Sequence, residues 1–258
     1  MIPCIPVWDC PFFLIYLRRC KSKKMKKITV LLLSAMYLLA CSSDKENTMY
    51  VTGSIKGLKK GTLYLQKQVD SLIVSVDSIS VNGTEEFLLQ DELESPEMYF
   101  LTLGRGSGDK KIAFFGERDT IHITSYLEKF ALRVSISGSE NQRLLDEFYD
   151  MKKKFNDQNL DLIKEEFEAR KTGNQDSVDA VAAKLRSWTR RKYLYTTNFA
   201  VNNANREVSP YIALTELQDA NLGLLDTINN SLSEEVRAGK YGRQLDTYLR
   251  DIRESAGE

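Results

Sequence analysis

The side chains able to do chemistry in this sequence are few and scattered. There is one histidine, His122, and there are four cysteines, three within residues 1–24 and the fourth at Cys41. One histidine leaves no multi-histidine metal site and makes any Ser-His-Asp relay depend on a single ring. His122 stands between Ile121 and Ile123, so the period of a strand groups it with Thr120 and Thr124 on the polar face. That is a surface position, with no partner to make the ring an acid or a base. Gly104-Arg-Gly106-Ser-Gly108 has the glycines to cradle a phosphate with backbone N–H groups. A dinucleotide fingerprint runs from a strand into a helix, however, and here another strand follows, so the segment reads as a hairpin loop. No catalytic, cofactor-binding or metal-ligating constellation emerges, and the expectation is a protein that is not an enzyme and carries no cofactor.

Two weaker patterns remain. Arg186, Arg190, Arg191 and Lys192 form a basic stripe with Trp188 and Tyr193 nearby, a set able to hold an anionic glycan or a lipid headgroup. The plainer reading is a solvated helix face balanced by Glu165, Glu166 and Glu168 of a facing helix. Asp70-Ser71-Leu72, Asp77-Ser78-Ile79, Asp119-Thr120-Ile121, Asp176-Ser177-Val178 and Asp226-Thr227-Ile228 resemble the short O-glycosylation sequon of exported Bacteroidetes proteins. Asp-Ser and Asp-Thr also open structural elements, where they cap backbone N–H groups.

The chain's 36 basic and 36 acidic residues cancel. That balance argues against a nucleic-acid partner held by bulk electrostatics. The balance is uneven along the sequence. Residues 25–41 open with Lys26 and Lys27, continue through a largely apolar run over 28–40 and end Leu38-Leu39-Ala40-Cys41. The run has signal-peptide length and is too short to span a bilayer of about 30 Å as a helix. Its end resembles the lipobox of bacterial lipoproteins, which implies that Cys41 is acylated and begins the mature chain, with the membrane as its partner. Residues 1–24 are read as an upstream extension before the true start at Met25. Their alternative is a long leader in which Arg18, Arg19, Lys21, Lys23 and Lys24 extend the basic segment.

Residues 1–40 hold seven basic residues and one acidic one, which leaves 29 basic and 35 acidic in 41–258, a net charge of −6. Cys41 is then the only thiol, so residues 41–258 have no internal disulfide, Cys-x-x-Cys pair or zinc cluster. Ser42 after the cysteine favours outer-membrane export in the same family terms. Ser43-Asp44-Lys45-Glu46 reads equally as the acidic surface-export signal of some Bacteroidetes lipoproteins and as a solvated tether over 41–48.

The elements that must position these residues fall into two regions, giving an α+β fold. Over 49–138 short apolar runs broken by Gly, Asn and Asp predict strands at 49–56, 62–68, 72–81, 85–90, 97–103, 111–116, 119–125 and 131–137. An antiparallel β-sandwich or open barrel suits them. Asn82-Gly83 is the strongest hairpin signal, and the apolar phase slips near Asp77-Ser78, where a bulge or break is expected. Leu132, Val134 and Ile136 alternate with polar residues as a half-buried strand would.

Over 139–258 the period changes to that of helices, giving an all-α domain. Leu144, Phe148, Met151, Phe155, Leu162 and Phe167 make one stripe, and Val178, Val181, Leu185, Trp188, Tyr195 and Phe199 a second. Thr172-Gly173-Asn174 joins the two as an antiparallel helical hairpin. Ser209-Pro210 starts a shorter helix to about Asp219. Ser231-Leu-Ser-Glu234 has a capping-box pattern, and a last amphipathic stretch follows Gly239 to Gly242.

The order of these signals resembles domain of unknown function 4369 over residues 49–141. The resemblance rests on Val51-Thr-Gly53-Ser-Ile-Lys-Gly57, Gly61-Thr-Leu-Tyr-Leu65, Val76-Asp-Ser-Ile79, Asp119-Thr-Ile-His-Ile123 and Val134-Ser-Ile-Ser-Gly138-Ser-Glu-Asn141. In that family a thioredoxin-like domain with a Cys-x-x-Cys commonly follows, and no position here matches its redox motif. The resemblance implies the accessory part of such a lipoprotein. The leading expectation is a lipid-anchored envelope module that binds or scaffolds an envelope protein or glycan. The second is a truncated form, or a partner, of a thioredoxin-like thiol-disulfide oxidoreductase.

Overall fold

The structure is a computed structural model, and it describes residues 47–104 and 110–256. The start at Met25, the leader, Cys41, most of the 41–48 tether and the centre of the glycine loop, 105–109, lie outside the described residues.

All eight expected strands form: β1 (Thr48–Lys56), β2 (Lys60–Val69), β3 (Leu72–Asn82), β4 (Glu86–Glu92), β5 (Glu97–Leu103), β6 (Lys111–Gly116), β7 (Thr120–Tyr126) and β8 (Ser135–Ser137). They build two four-stranded sheets, ordered β4-β1-β7-β8 and β3-β2-β5-β6. Val51, Ile55, Leu89, Ile121 and Ile123 from the first sheet share one core with Leu63, Leu65, Leu101, Ile112 and Phe114 from the second. Alternation along each strand supplies that inner face, and each large apolar side chain fully buried there contributes about 1.5–3 kcal/mol.

Pairing is antiparallel except between β1 and β7, which run parallel, in place of the all-antiparallel arrangement expected. The parallel pair brings Gly53 opposite Ile123, so closely that a Cβ at residue 53 would fall on the Ile123 carbonyl oxygen. Asn82-Gly83 carries the chain from the second sheet to the first instead of closing a hairpin, since β3 pairs with β2 and β4 with β1. The two-residue hairpin is Asp70-Ser71, between paired Val69 and Leu72, with Asp70 at φ 53°. The expected phase slip is real: Leu65 faces Asp77 and Gln66 faces Ser75, which leaves Val76 as the bulge. Strand 131–137 shrinks to β8. Ser125 donates to the Phe130 carbonyl at 2.6 Å, a 3-10 turn occupies Leu127–Lys129, and Phe130 plugs the core while Leu132 is 89% exposed.

The helices are α1 (Glu140–Thr172), α2 (Gln175–Asn202), α3 (Val208–Glu216), α4 (Leu222–Ser231), α5 (Glu234–Ala238) and α6 (Lys240–Ala256). Gly173, at φ 71°, ends α1, and the Asn174 side chain accepts from Ser177 N–H to start α2. The hairpin stands as expected, but its first stripe divides. Leu162 is half-buried, whereas Phe167 is 66% exposed. Five residues rotate a helix by about 140° beyond a full turn, so those two cannot share a face. Ser233, rather than Ser231, caps α5 through Val236 N–H, and Gly242 lies inside α6. Helix α4, capped by Asn221, was not among the expected elements, although Leu222, Leu225 and Ile228 carry its period. None of the helices among the described residues is long and apolar enough to cross a membrane.

Candidate functional site

The outer face of the second sheet carries Met98, Phe100, Ala113 and Phe115, paired across β5 and β6. Helices α1, α3 and α6 cover part of it, and the uncovered part is a cleft of about 620 Å3. That size is ordinary for a small-molecule site. Phe115 turns away from the sandwich and packs with Leu144, Leu145, Phe148 and Ile212. Its ring meets Tyr211 edge-on at 5.6 Å and Tyr241 at 5.9 Å, and those two tyrosines are 5.1 Å apart. The Tyr241 hydroxyl accepts the Met98 N–H at 2.9 Å, fixing α6 to β5.

The cleft lining combines aromatic faces with isolated polar groups. Lys111 lies 3.5 Å above the Phe100 ring, a cation–π contact at the sheet edge. Burial pushes the hydroxyls of Tyr149, Tyr211 and Tyr241 above the usual phenol range. Burial also raises the Asp146 carboxyl, opposed by the Gln142 amide that donates to it at 2.7 Å. Neutral phenols are poor bases and poor nucleophiles near pH 7, so what this lining offers is stacking surface, hydroxyls, amides and separated charges. Such a set holds a ligand by shape and hydrogen bonds.

Residues 138–142, at the turn into α1, build one side of the site. Ser139 caps α1 by accepting the Gln142 N–H. The Gln142 carbonyl accepts the Phe115 N–H at 2.7 Å, which satisfies the edge of the second sheet. Asn141 accepts the Val208 N–H at 3.0 Å and donates to Glu117 at 2.6 Å, tying α3 to the loop after β6. Gly138-Ser-Glu-Asn141, noticed in the sequence only as a family pattern, is thus the joint between sheets and helices.

A second joint lies at the start of α6. Lys240 N–H donates to Ser95 at 3.0 Å, and the Lys240 ammonium reaches both the Gln68 carbonyl and the Glu97 carboxylate. Tyr241 N–H donates to the Glu207 carboxylate, which occupies the space a side chain at Gly239 would need. Glu207 is 4% exposed, and its Oε2 has no hydrogen-bond partner. Burial, with a smaller push from Glu235, lifts its pKa from 4.5 to about 8, while Arg243 and the Tyr241 N–H pull the other way. Sequence reasoning missed both joints, because their partners are far apart in the chain and no local spacing records them.

The residues singled out in the sequence have other surroundings. His122 is exposed, and its Nδ1 is 3.2 Å from the Thr52 hydroxyl. Asp77 accepts the N–H groups of Ser78 and Gln90 beside the Val76 bulge, and Asp119 that of Thr120 at the start of β7, so these acids serve backbone N–H groups. Asp226 pairs with Arg253. Lys192 lies 6.0 Å from the rings of both Trp188 and Tyr193, and Arg191 is exposed. The glutamates expected to balance the basic stripe are engaged elsewhere: Glu165 with Lys184, Glu166 with Arg170 and Glu168 with Lys171. Arg186 and Arg190 line a separate groove against α4. No group of three His, Cys, Asp or Glu among the described residues is placed to hold a metal ion.

Neither a curated protein nor a solved structure matches this chain. The match to a family ends at Leu145, inside α1, so the family unit takes in the joint at 139–142 as well as the two sheets. Residues 49–145 match the family model described as Domain of unknown function (DUF4369).

Proposed function

We propose that the chain is a non-enzymatic binding or scaffolding module of the cell envelope, held at the membrane by lipid on Cys41 and facing an envelope protein or glycan. The observation that supports binding is the cleft between β5–β6 and α1, α3 and α6, with its aromatic walls and separated charges. The ending Leu38-Leu39-Ala40-Cys41 supports the anchor. Two joints made of long-range hydrogen bonds hold the cleft walls at a fixed spacing, as a preformed site requires.

Two measurements test the reading. The intact mass of the protein from native membranes should equal residues 41–258 plus acyl groups; an unacylated chain that keeps residues 1–24 overturns the anchor. Capture of envelope components by the full chain should weaken at least tenfold when Tyr211→Ala and Lys111→Ala are combined. Turnover of a substrate, lost on changing one cleft residue, would replace binding with catalysis.

A further inference from the structure

The groove between α2 and the start of α4 shares no residue with the cleft. It encloses about 610 Å3 and is walled by Leu185, Tyr193, Leu194 and Leu224, with Arg186 and Arg190 beside them. The two arginines are one helical turn apart on α2, where like charges repel. Nothing on their own helix relieves this. The positions three and four residues away from them, other than each other, are Ala182, Ala183, Ser187, Thr189, Tyr193 and Leu194. On α1, Glu165, Glu166 and Glu168 pair with Lys184, Arg170 and Lys171 and Asp161 pairs with Lys164, while Asp226 of α4 pairs with Arg253. The part of α4 at the groove contributes Asn221, Gly223 and Leu224, which carry no charge. Among the described residues neither guanidinium has a carboxylate within ion-pair distance.

We propose that this groove binds a single-chain anionic amphiphile, its tail along Leu185, Leu194 and Leu224 and its head group between Arg186 and Arg190. An anion there removes the repulsion between the two arginines, and each guanidinium presents a planar fork that suits a carboxylate or phosphate. The apolar walls, of which Leu194 is 42% exposed, leave water when a chain covers them. Head and tail are recognised by different residues, so removal of either should weaken binding. The proposal stands apart from the lipid on Cys41 and from the cleft.

The test is titration calorimetry of the purified full chain with monomeric dodecyl phosphate, below its micelle threshold. Saturable binding of one equivalent is expected. Arg186→Gln with Arg190→Gln should weaken it at least tenfold, as should Leu224→Asn, while inorganic phosphate and neutral dodecyl maltoside bind at least tenfold less tightly. Both arginines are exposed, so the thermal transition of that variant should match the parent and separate lost binding from lost folding. Absence of saturable binding, equal binding of the neutral amphiphile, indifference to the arginine substitutions, or binding confined to anionic vesicles would each overturn the proposal.

Discussion

The two-sheet core and the α1–α2 arm both carry long apolar series, but only the sheets close theirs off from water. Met49, Val51, Leu63, Leu65, Tyr99, Leu101, Phe114, Ile121 and Ile123 are all 0% exposed. In the outer half of the arm Leu160 is 56% exposed, Ile163 49% and Phe167 66%. A strand in a sandwich meets its opposite sheet along its whole inner face. A helix in a two-helix hairpin has one neighbour, and a second stripe on it stays uncovered unless another element arrives. Near the base, α3 and α6 supply that element and Phe148, Phe199 and Tyr241 are buried; farther out nothing in the described chain does. Periodicity therefore reveals that an apolar stripe exists, and topology decides whether it is core.

Substitutions can break or sharpen this contrast. The largest effect is expected at Gly53, where Ala would collide with the backbone of β7; a loss of about 4 kcal/mol or more, or no cooperative transition at all, should appear in urea unfolding. The same change at Gly173, where a Cβ meets open space, should cost only about 1 kcal/mol through its left-handed φ. Leu101→Ala should cost about 2–5 kcal/mol by the same measurement.

Between the two regions lies Glu207, which the fold makes harder to ionise, so the folded state binds a proton that the unfolded chain has released between pH 4.5 and about 8. Its contribution to stability is complete below pH 4.5 and is lost as pH rises through 8. The fall should be at most about 1.4 kcal/mol per pH unit. Unfolding curves at pH 5, 6, 7 and 8 should show that slope in the parent and a flatter one in Glu207→Gln. Tyr241→Phe leaves the Met98 N–H without an acceptor and should cost about 1 kcal/mol in the same assay. Smallest is Phe167→Gln on the open face of the arm, expected within about 0.5 kcal/mol of the parent. A larger loss there would show that something covers the arm in solution.

Strands and long helices were legible because each announces itself within ten or fifteen residues. The Asp77 phase slip was legible for the same reason, and it is the Val76 bulge. Asn82-Gly83 misled because turn chemistry fixes a local bend but not which sheet the next strand joins. Phe130 and Leu132 show the same limit, since their alternation is that of a strand while only the core decides that Phe130 turns inward and Leu132 outward. Among site residues, the basic stripe was visible as charge, but its separation into Arg186 and Arg190 at a groove and Lys192 over rings was not. The cleft could not be read at all: Phe100, Asp146, Tyr211 and Tyr241 meet there from four elements, and no spacing in sequence connects them.

The joint at the start of α6 has a consequence for the order in which the molecule matures. Ser95 and Met98 precede their partners Lys240 and Tyr241 by 145 and 143 residues. The chain emerges from its N-terminal end, in synthesis as in export, so the strands are available before those partners are. The sandwich has its own core and can assemble during that interval, with the Met98 amide and the outer face of β5–β6 still bare. Closing so long a loop is also slow. The cleft is consequently completed later than the sandwich, and only on a chain that continues through α6.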